Sequence, residues 1–185
     1  CVPMIFPEKK AVLRDGRTCM LRSAVPADAE EMRAYLTATS AETPFLLRGP
    51  QDDVPSTDEE RAFLQSCLDQ PRGLMLTIRV DGTLAGSCRL SPEGSAARSR
   101  HRCGVAIALY QAYCGLGIGR YALETLIEAA KRIGYEQMEL SVVRGNGRAQ
   151  QLYERLGFQA YGLLPHAMKY PDGSYADEIL MIKLL

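Results

Sequence analysis

Glycines alternate at Gly115, Gly117 and Gly119, between an apolar stretch ending at Leu109 and a stripe of Ile118, Ala122, Leu126, Ala130 and Ile133. That stripe recurs every three or four residues, the period of one helix face. A strand, a glycine turn and a helix start make a site for a phosphate. The first N–H groups of a helix lack internal partners and carry partial positive charge. Glycine lets the backbone take positive φ and close on a ligand, and successive amides form an anion nest. The segment from Cys114 through Gly115, Leu116, Gly117, Ile118 and Gly119 to Arg120 therefore reads as a cradle for a phosphate-bearing ligand, against the alternative of a turn that only needs to be tight.

Two familiar phosphate loops do not fit. The Walker pattern needs Lys and then Ser or Thr after its last glycine, where this chain has Arg120 and Tyr121. The dinucleotide fingerprint needs a third glycine where Arg120 falls. Glu139 lies at a ribose-binding distance downstream but reads as mid-strand, which counts against a nicotinamide enzyme.

A second constellation follows at 146–158, NGRAQQLYERLGF. Asn146 caps a short helix bearing Ala149, Leu152, Tyr153 and Leu156, and Gly157 ends it. Together with the glycine loop, this stretch resembles the GCN5-related N-acetyltransferase (GNAT) superfamily. Its first motif, [QR]-x-x-G-x-[GA], is matched by Gly117 and Gly119, with Cys114 where Gln or Arg is usual. Its second, roughly N-x-x-A-x-x-L-Y-E-x-x-G-F, is matched by Asn146, Ala149, Leu152, Tyr153, Glu154, Gly157 and Phe158. The tail from Tyr161 to Leu185 looks most like bacterial members near the ribosomal-protein N-terminal acetyltransferases.

The resemblance implies an acetyl-CoA-dependent N-acetyltransferase with a V-shaped gap between two parallel strands. Backbone groups of Ile107, Ala108 and Leu109 would meet the pantetheine arm and thioester, residues 114–120 the pyrophosphate, Asn146 the arm, and Tyr153 the leaving thiolate as its acid. The competing readings are Asn146 as a plain N-cap, a job it can combine with the cofactor contact, and Tyr153 as a core tyrosine. The acceptor would be a primary amine, either a peptide or protein N-terminus or a small molecule. An α-amine with pKa of about 7.7–8 is neutral far more often at pH 7 than a lysine near 10.4. Where many relatives carry a glutamate base, this chain has about Cys103 or Gly104. Three solutions follow: a water chain, a carboxylate such as Glu42 from the irregular segment, or an acceptor of modest pKa. Glu42, Phe45 and Tyr175 are the expected acceptor-side residues, and His101 reads as a strand-end residue. The rival reading is a non-catalytic acyl-CoA-binding regulatory module on the same scaffold.

The elements that must position these groups follow in order. Residues 17–25 read as a strand. Pro26 opens a helix to about Ser40, and residues 41–56, with Pro44, Pro50 and Pro55, are irregular. Thr57 and Glu60 read as a capping box for a helix to about Asp69. Residues 73–80 and 83–90 flank Asp81-Gly82, a hairpin signal. Arg98, Arg100 and Arg102 alternate as one face of a strand end. Strands at 103–109 and 137–143, joined through a helix, must lie parallel. A closing antiparallel pair spans 158–170 and 175–184. The outcome is α/β in class, with a mixed, mostly antiparallel sheet, one splayed parallel pair and helices on both faces. It forms one domain over 1–185, with 1–16 as an extension and the core at about 17–184.

Bulk properties set the bounds. A composition 46% hydrophobic and 24% charged suits a folded domain, and zero formal charge gives no field for nucleic acid. Cysteines at 1, 19, 67, 88, 103 and 114 have no ligand spacing, so no metal is expected and a reducing, cytoplasmic setting is. No apolar run approaches about 18 residues, so no membrane contact is expected. The chain starts at Cys1, which points to a processed or truncated start, and its proline-broken beginning does not read as a signal sequence. A homodimer is among the assemblies left open.

Overall fold

The computed structural model describes residues 5–185, so Cys1 and the expectations about the chain's first residues lie outside it. The described elements are β1 (Lys9–Val12), β2 (Thr18–Ser23), α1 (Ala29–Glu42), α2 (Thr57–Asp69), β3 (Leu74–Val80), β4 (Thr83–Pro92), β5 (Arg102–Leu109), α3 (Ile118–Ile133), β6 (Gln137–Val143), α4 (Gly147–Arg155), β7 (Gln159–Lys169) and β8 (Tyr175–Leu184). The strands form an eight-stranded sheet in the order β1-β2-β3-β4-β5-β6-β8-β7. Every neighbouring pair is antiparallel except β5–β6, as the crossover through α3 requires.

Alternation along the strands divides the apolar residues between two faces. Leu74, Leu76, Ile78 and Val80 of β3 pack with Ile118, Ala122, Leu126 and Ala130 of α3. On the other face Met75 joins Ala29, Met32 and Tyr35 of α1 and Leu64 of α2. The predicted α3 stripe is thus the stripe that is buried, and each large side chain on it is worth about 1.5–3 kcal/mol. Asp81 and Gly82 both take positive φ, as a tight hairpin demands.

The predicted pattern needs three corrections. First, Lys9–Val12 lies within the segment read as an extension, yet it pairs with β2 as an edge strand. Two lysines in four residues hide it in the sequence and suit an exposed edge. Second, α2 is capped one residue earlier than expected. The Ser56 hydroxyl accepts from the Glu59 amide (3.2 Å), and the Ser56 amide donates to the Glu59 carboxylate (2.7 Å). Ser56 has the extended backbone an N-cap needs, whereas Glu60 is turned into the protein and buried. Third, Arg98 and Arg100 sit in a turn and not on a strand face, and β5 begins at Arg102.

Candidate active site

The parallel pairing of β5 with β6 runs from Arg102↔Gln137 only to Gly104↔Glu139. Beyond it, β6 continues beside β8 from Leu140↔Met181 to Val143↔Glu178, while Val105–Leu109 stays beside β4. The two strands therefore part and leave a V. Its closed end is fastened by Arg102, whose guanidinium donates to both Glu139 oxygens at 2.7 and 2.6 Å. Those hydrogen bonds hold the Glu139 carboxyl below the usual carboxylate range. Glu139 is thus committed to Arg102.

Along the open limb, the three residues expected to offer backbone groups are not equivalent. The Tyr110 amide donates to the Ala85 carbonyl at 2.8 Å, and Ser87 stands opposite Ala108. Because hydrogen-bonding direction alternates along an antiparallel ladder, Ala108 turns its backbone toward β4. Its carbonyl also accepts from the Tyr35 hydroxyl at 2.8 Å. Ile107 and Leu109 therefore turn their backbone groups toward the gap, and Ala108 does not.

After a short 3-10 turn at Gln111–Tyr113, the chain enters the glycine loop. Gly115 and Gly117 have φ of +79° and +82°, which explains why glycine stands at both. Gly119 has a different reason. A Cβ there would lie 3.2 Å from Leu152 Cδ2, so its smallness sets how closely α3 and α4 pack. The first backbone bond entering α3 is Tyr121 N–H to Gly117 carbonyl. Among the described residues, none of the amides from Gly115 through Arg120 has an intramolecular acceptor. No acidic side chain sits in the first turn of α3, and its N-cap, Gly117, offers no side chain. Cys114, where the motif has Gln or Arg, turns its thiol back to the Tyr110 carbonyl at 3.6 Å.

Arg148 is a residue the sequence reading missed. A Cβ placed on Gly115 would lie 3.9 Å from Arg148 Nη1, so this guanidinium borders the loop, and among the described residues it makes no ion pair. Its place in the first turn of α4, two residues after Asn146, was the available signal.

Asn146 accepts from the Ala149 amide at a long 3.4 Å, so it does cap α4. Tyr153 packs edge-on to Phe158 with ring centroids 6.0 Å apart, against the core that α3 also faces. Its hydroxyl has no hydrogen-bond partner among the described residues, and burial pushes its pKa above the ordinary tyrosine value. Tyr153 is thus held as a neutral O–H with a free donor. Cys103 is no substitute for a base, because burial pushes its thiol up to about 12.

Of the acceptor-side expectations, Glu42 lines a cleft of about 790 Å³ between residues 40–51 and 167–171. Phe45 lines an adjoining one with Arg144, Tyr170 and Asp172. The Tyr170 hydroxyl donates to the Pro44 carbonyl (2.8 Å) and joins the two loops. Tyr175 lines neither. It stacks on His166 with centroids 4.2 Å apart, because Ser174 and Ala176, on either side of it, face the cleft. The Glu42 carboxylate accepts from the Gln111 amide at 2.7 Å. No helix among the described residues is long and apolar enough to cross a membrane.

Comparison with known proteins agrees with this geometry. Two Bacillus subtilis (strain 168) proteins, the uncharacterized N-acetyltransferases YdgE and YycN, are similar over short stretches. YdgE is 40% identical over 50 residues, 27% of this chain and 32% of its own length. YycN is 41% identical over 51 residues, 28% of this chain and 33% of its own. The chain thus spans about a third of the length of these curated relatives. Among solved structures, an acetyltransferase of the GNAT family from Streptococcus pneumoniae superposes with TM-score 0.84 at 27% identity, over 90% of this chain and 99% of that one. The same fold is found in YncA of Salmonella typhimurium, solved with its cofactor acetyl-CoA (TM-score 0.78, 23% identity, 90% and 94% covered). It is found again in the ribosomal-protein-alanine N-acetyltransferase of Brucella melitensis (TM-score 0.79, 21% identity, 89% and 99% covered). The acetyltransferase (GNAT) family model matches residues 36–158, most of the chain and all of the V, and the protein belongs to that family.

Proposed function

We propose that this protein is an acetyl-CoA-dependent N-acetyltransferase acting on a primary amine, of a peptide N-terminus or a small molecule. The observation that carries the reading is the run of bare amides from Gly115 through Arg120 at a helix start, beside a gap where two parallel strands part. Helix starts favour anions, and unpartnered N–H groups point at them. Cys114, Gly115, Leu116, Gly117, Ile118, Gly119 and Arg120 would hold the diphosphate, with Arg148 adding positive charge from α4. Ile107 and Leu109 would take the pantetheine arm and the thioester end, and Asn146 the arm's polar groups.

Acetyl-CoA supplies an activated acyl group and a thiolate leaving group. The chain's own residues supply orientation, which is worth several kcal/mol when reacting atoms are held together, and N–H groups fixed along β5. Tyr153 would donate its hydroxyl proton to the leaving sulfur, and the proton shed by the attacking nitrogen would restore the Tyr153 O–H through solvent. Its raised pKa suits that task, since the group stays protonated throughout the neutral range. The acceptor enters from the cleft bordered by residues 40–51 and 167–171. Neither Cys103 nor Gly104 on β5 carries a carboxylate of its own, although the Glu93 side chain lies against Gly104; an amine of modest pKa that deprotonates by its own equilibrium fits this arrangement.

Calorimetry with acetyl-CoA, followed by thiol release against amines, amino acids and N-terminal peptides, tests the proposal. Binding with turnover is the expected result. Tyr153→Phe should keep acetyl-CoA binding and lose roughly 100-fold in kcat, the scale of a general acid. No heat with acetyl-CoA would end the reading, and binding without turnover on any amine would favour a regulatory module.

A further inference from the structure

We infer that α1 is a clamp for the open limb of β5, and that Tyr35 and Glu42 are positioning residues for acyl transfer through it; this rests on the acetyl-transfer reading above. Val105–Leu109 has lost its β6 neighbour, so one side of the strand has no ladder to fix it. What holds it comes from β4 and α1. Tyr35 is 4% exposed, and its hydroxyl donates to the Ala108 carbonyl at 2.8 Å while accepting from the Ser87 hydroxyl at 3.1 Å. Burial pushes Tyr35 up to about 12, so the O–H stays in place as a donor. Its ring also meets Tyr110 edge-on, with centroids 5.6 Å apart. About two turns further along α1, Glu42 takes the Gln111 amide at 2.7 Å. Gly86 completes the grip from β4, since a Cβ there would lie 2.9 Å from Leu109 Cα.

The two α1 contacts therefore fall on either side of Leu109 and Tyr110, one at a carbonyl and one at an amide. They fix the direction in which the backbone groups of Ile107 and Leu109 face the gap. N–H groups that stabilise developing charge act only when held within a few tenths of an ångström of their target. Glu42 in this role accepts a hydrogen bond and takes no proton from the acceptor amine. A glutamine can do the same through its side-chain carbonyl oxygen, and an alanine cannot.

The test uses the whole chain with Glu42→Ala, Glu42→Gln, Tyr35→Phe and the unaltered protein. Amide exchange without coenzyme reads the clamp directly. Residues 105–111 should exchange about 10-fold faster in Glu42→Ala and Tyr35→Phe, and within about 3-fold of the unaltered rate in Glu42→Gln. In turnover, Glu42→Ala and Tyr35→Phe should lose roughly 10-fold in kcat while the acetyl-CoA Kd, set mainly by the glycine loop, moves by less than about 3-fold. Glu42→Gln should keep most of kcat. Unchanged exchange in Glu42→Ala and Tyr35→Phe overturns the clamp. So does a Glu42→Gln enzyme as impaired as Glu42→Ala, because that result makes Glu42 a base. If the unaltered protein takes up no acetyl-CoA, the acetyl-transfer reading fails, and the exchange rates still decide whether α1 holds β5.

Discussion

Helices α2 and α3 each start with orphan N–H groups and deal with them in opposite ways. At α2, Ser56 and Glu59 exchange hydrogen bonds, and Asp58, Glu59 and Glu60 place acidic residues in the first turn. At α3, the N-cap is a left-handed glycine, the first turn has no acid, and Arg120 occupies the position that Glu59 has in α2. A capping box and helix-start acids are worth about 1–2 kcal/mol together, so α3 forgoes stability that α2 takes. A helix start kept bare and basic at the mouth of a strand gap is what the proposed diphosphate site requires. Helix α4 lies between these extremes, since Asn146 caps it through one long bond and leaves its side-chain N–H groups uncommitted among the described residues.

The largest expected effect comes from giving α3 the chemistry of α2. Arg120→Glu places a carboxylate at the equivalent of Glu59 and reverses a charge beside the proposed diphosphate. Four changed unit-charge pairs at about 6 Å in water amount to roughly 3 kcal/mol before screening, so acetyl-CoA affinity should fall about 30- to 100-fold. Thermal stability should not fall with it. The exposed Arg120–Glu124 pair is worth a few tenths of a kcal/mol, and an acid in the first turn offsets its loss. Calorimetry and thermal melts on one preparation check both halves, and unchanged affinity would sink the proposed diphosphate site.

The intermediate helix gives the next test. Asn146→Ser keeps an N-cap acceptor but removes the amide that would meet the coenzyme arm. Melting should stay within the effect of a cap-for-cap exchange, while the acetyl-CoA KM should rise about 10-fold, the loss of one hydrogen bond to a polar group. Were Asn146 only a cap, neither value would move.

Breaking the box at α2 should do the reverse. Ser56→Ala should cost about 1 kcal/mol of stability by denaturant titration and leave the acetyl-CoA Kd unchanged, because α2 lies on the sheet face opposite α3.

These contrasts also mark what the sequence revealed. Gly115 and Gly117 were legible because only glycine sits easily at their positive φ, and the α3 stripe was legible because burial follows the helical period. The box at α2 lies one residue before the expected one because Ser56/Glu59 and Thr57/Glu60 satisfy the same spacing, and the extended backbone of Ser56 and the burial of Glu60 separate them. The Tyr35–Ala108 bond joins residues 73 apart, and the approach of Arg148 to Gly115 depends on how α4 packs on α3. No periodicity encodes either contact. Tyr175 stands apart from these two clefts for a related reason: strand alternation fixes which neighbours share a face, but not which face borders the cleft.

The smallest effect is a matter of pH, and it again separates the two helix starts. The Ser56 amide, then the Ser56 hydroxyl, hold the exposed Glu59 carboxyl below its ordinary value. A carboxyl depressed in the folded state stabilises the protein above its unfolded pKa, about 4.3, and that contribution is lost as pH falls through the folded value. Glu59→Gln should therefore melt slightly below the unaltered protein at pH 7, and the two should converge as pH falls through the acid range below about 4. At α3 there is no acid in the first turn, so no comparable acid-range loss should arise there. In Arg120→Glu a new carboxylate at the same helical position should create one, with melting temperature relative to the unaltered protein falling as pH drops through its pKa. If the Arg120→Glu difference were flat across that range, the two helix starts would not be equivalent frames, and the comparison between them would lose its basis.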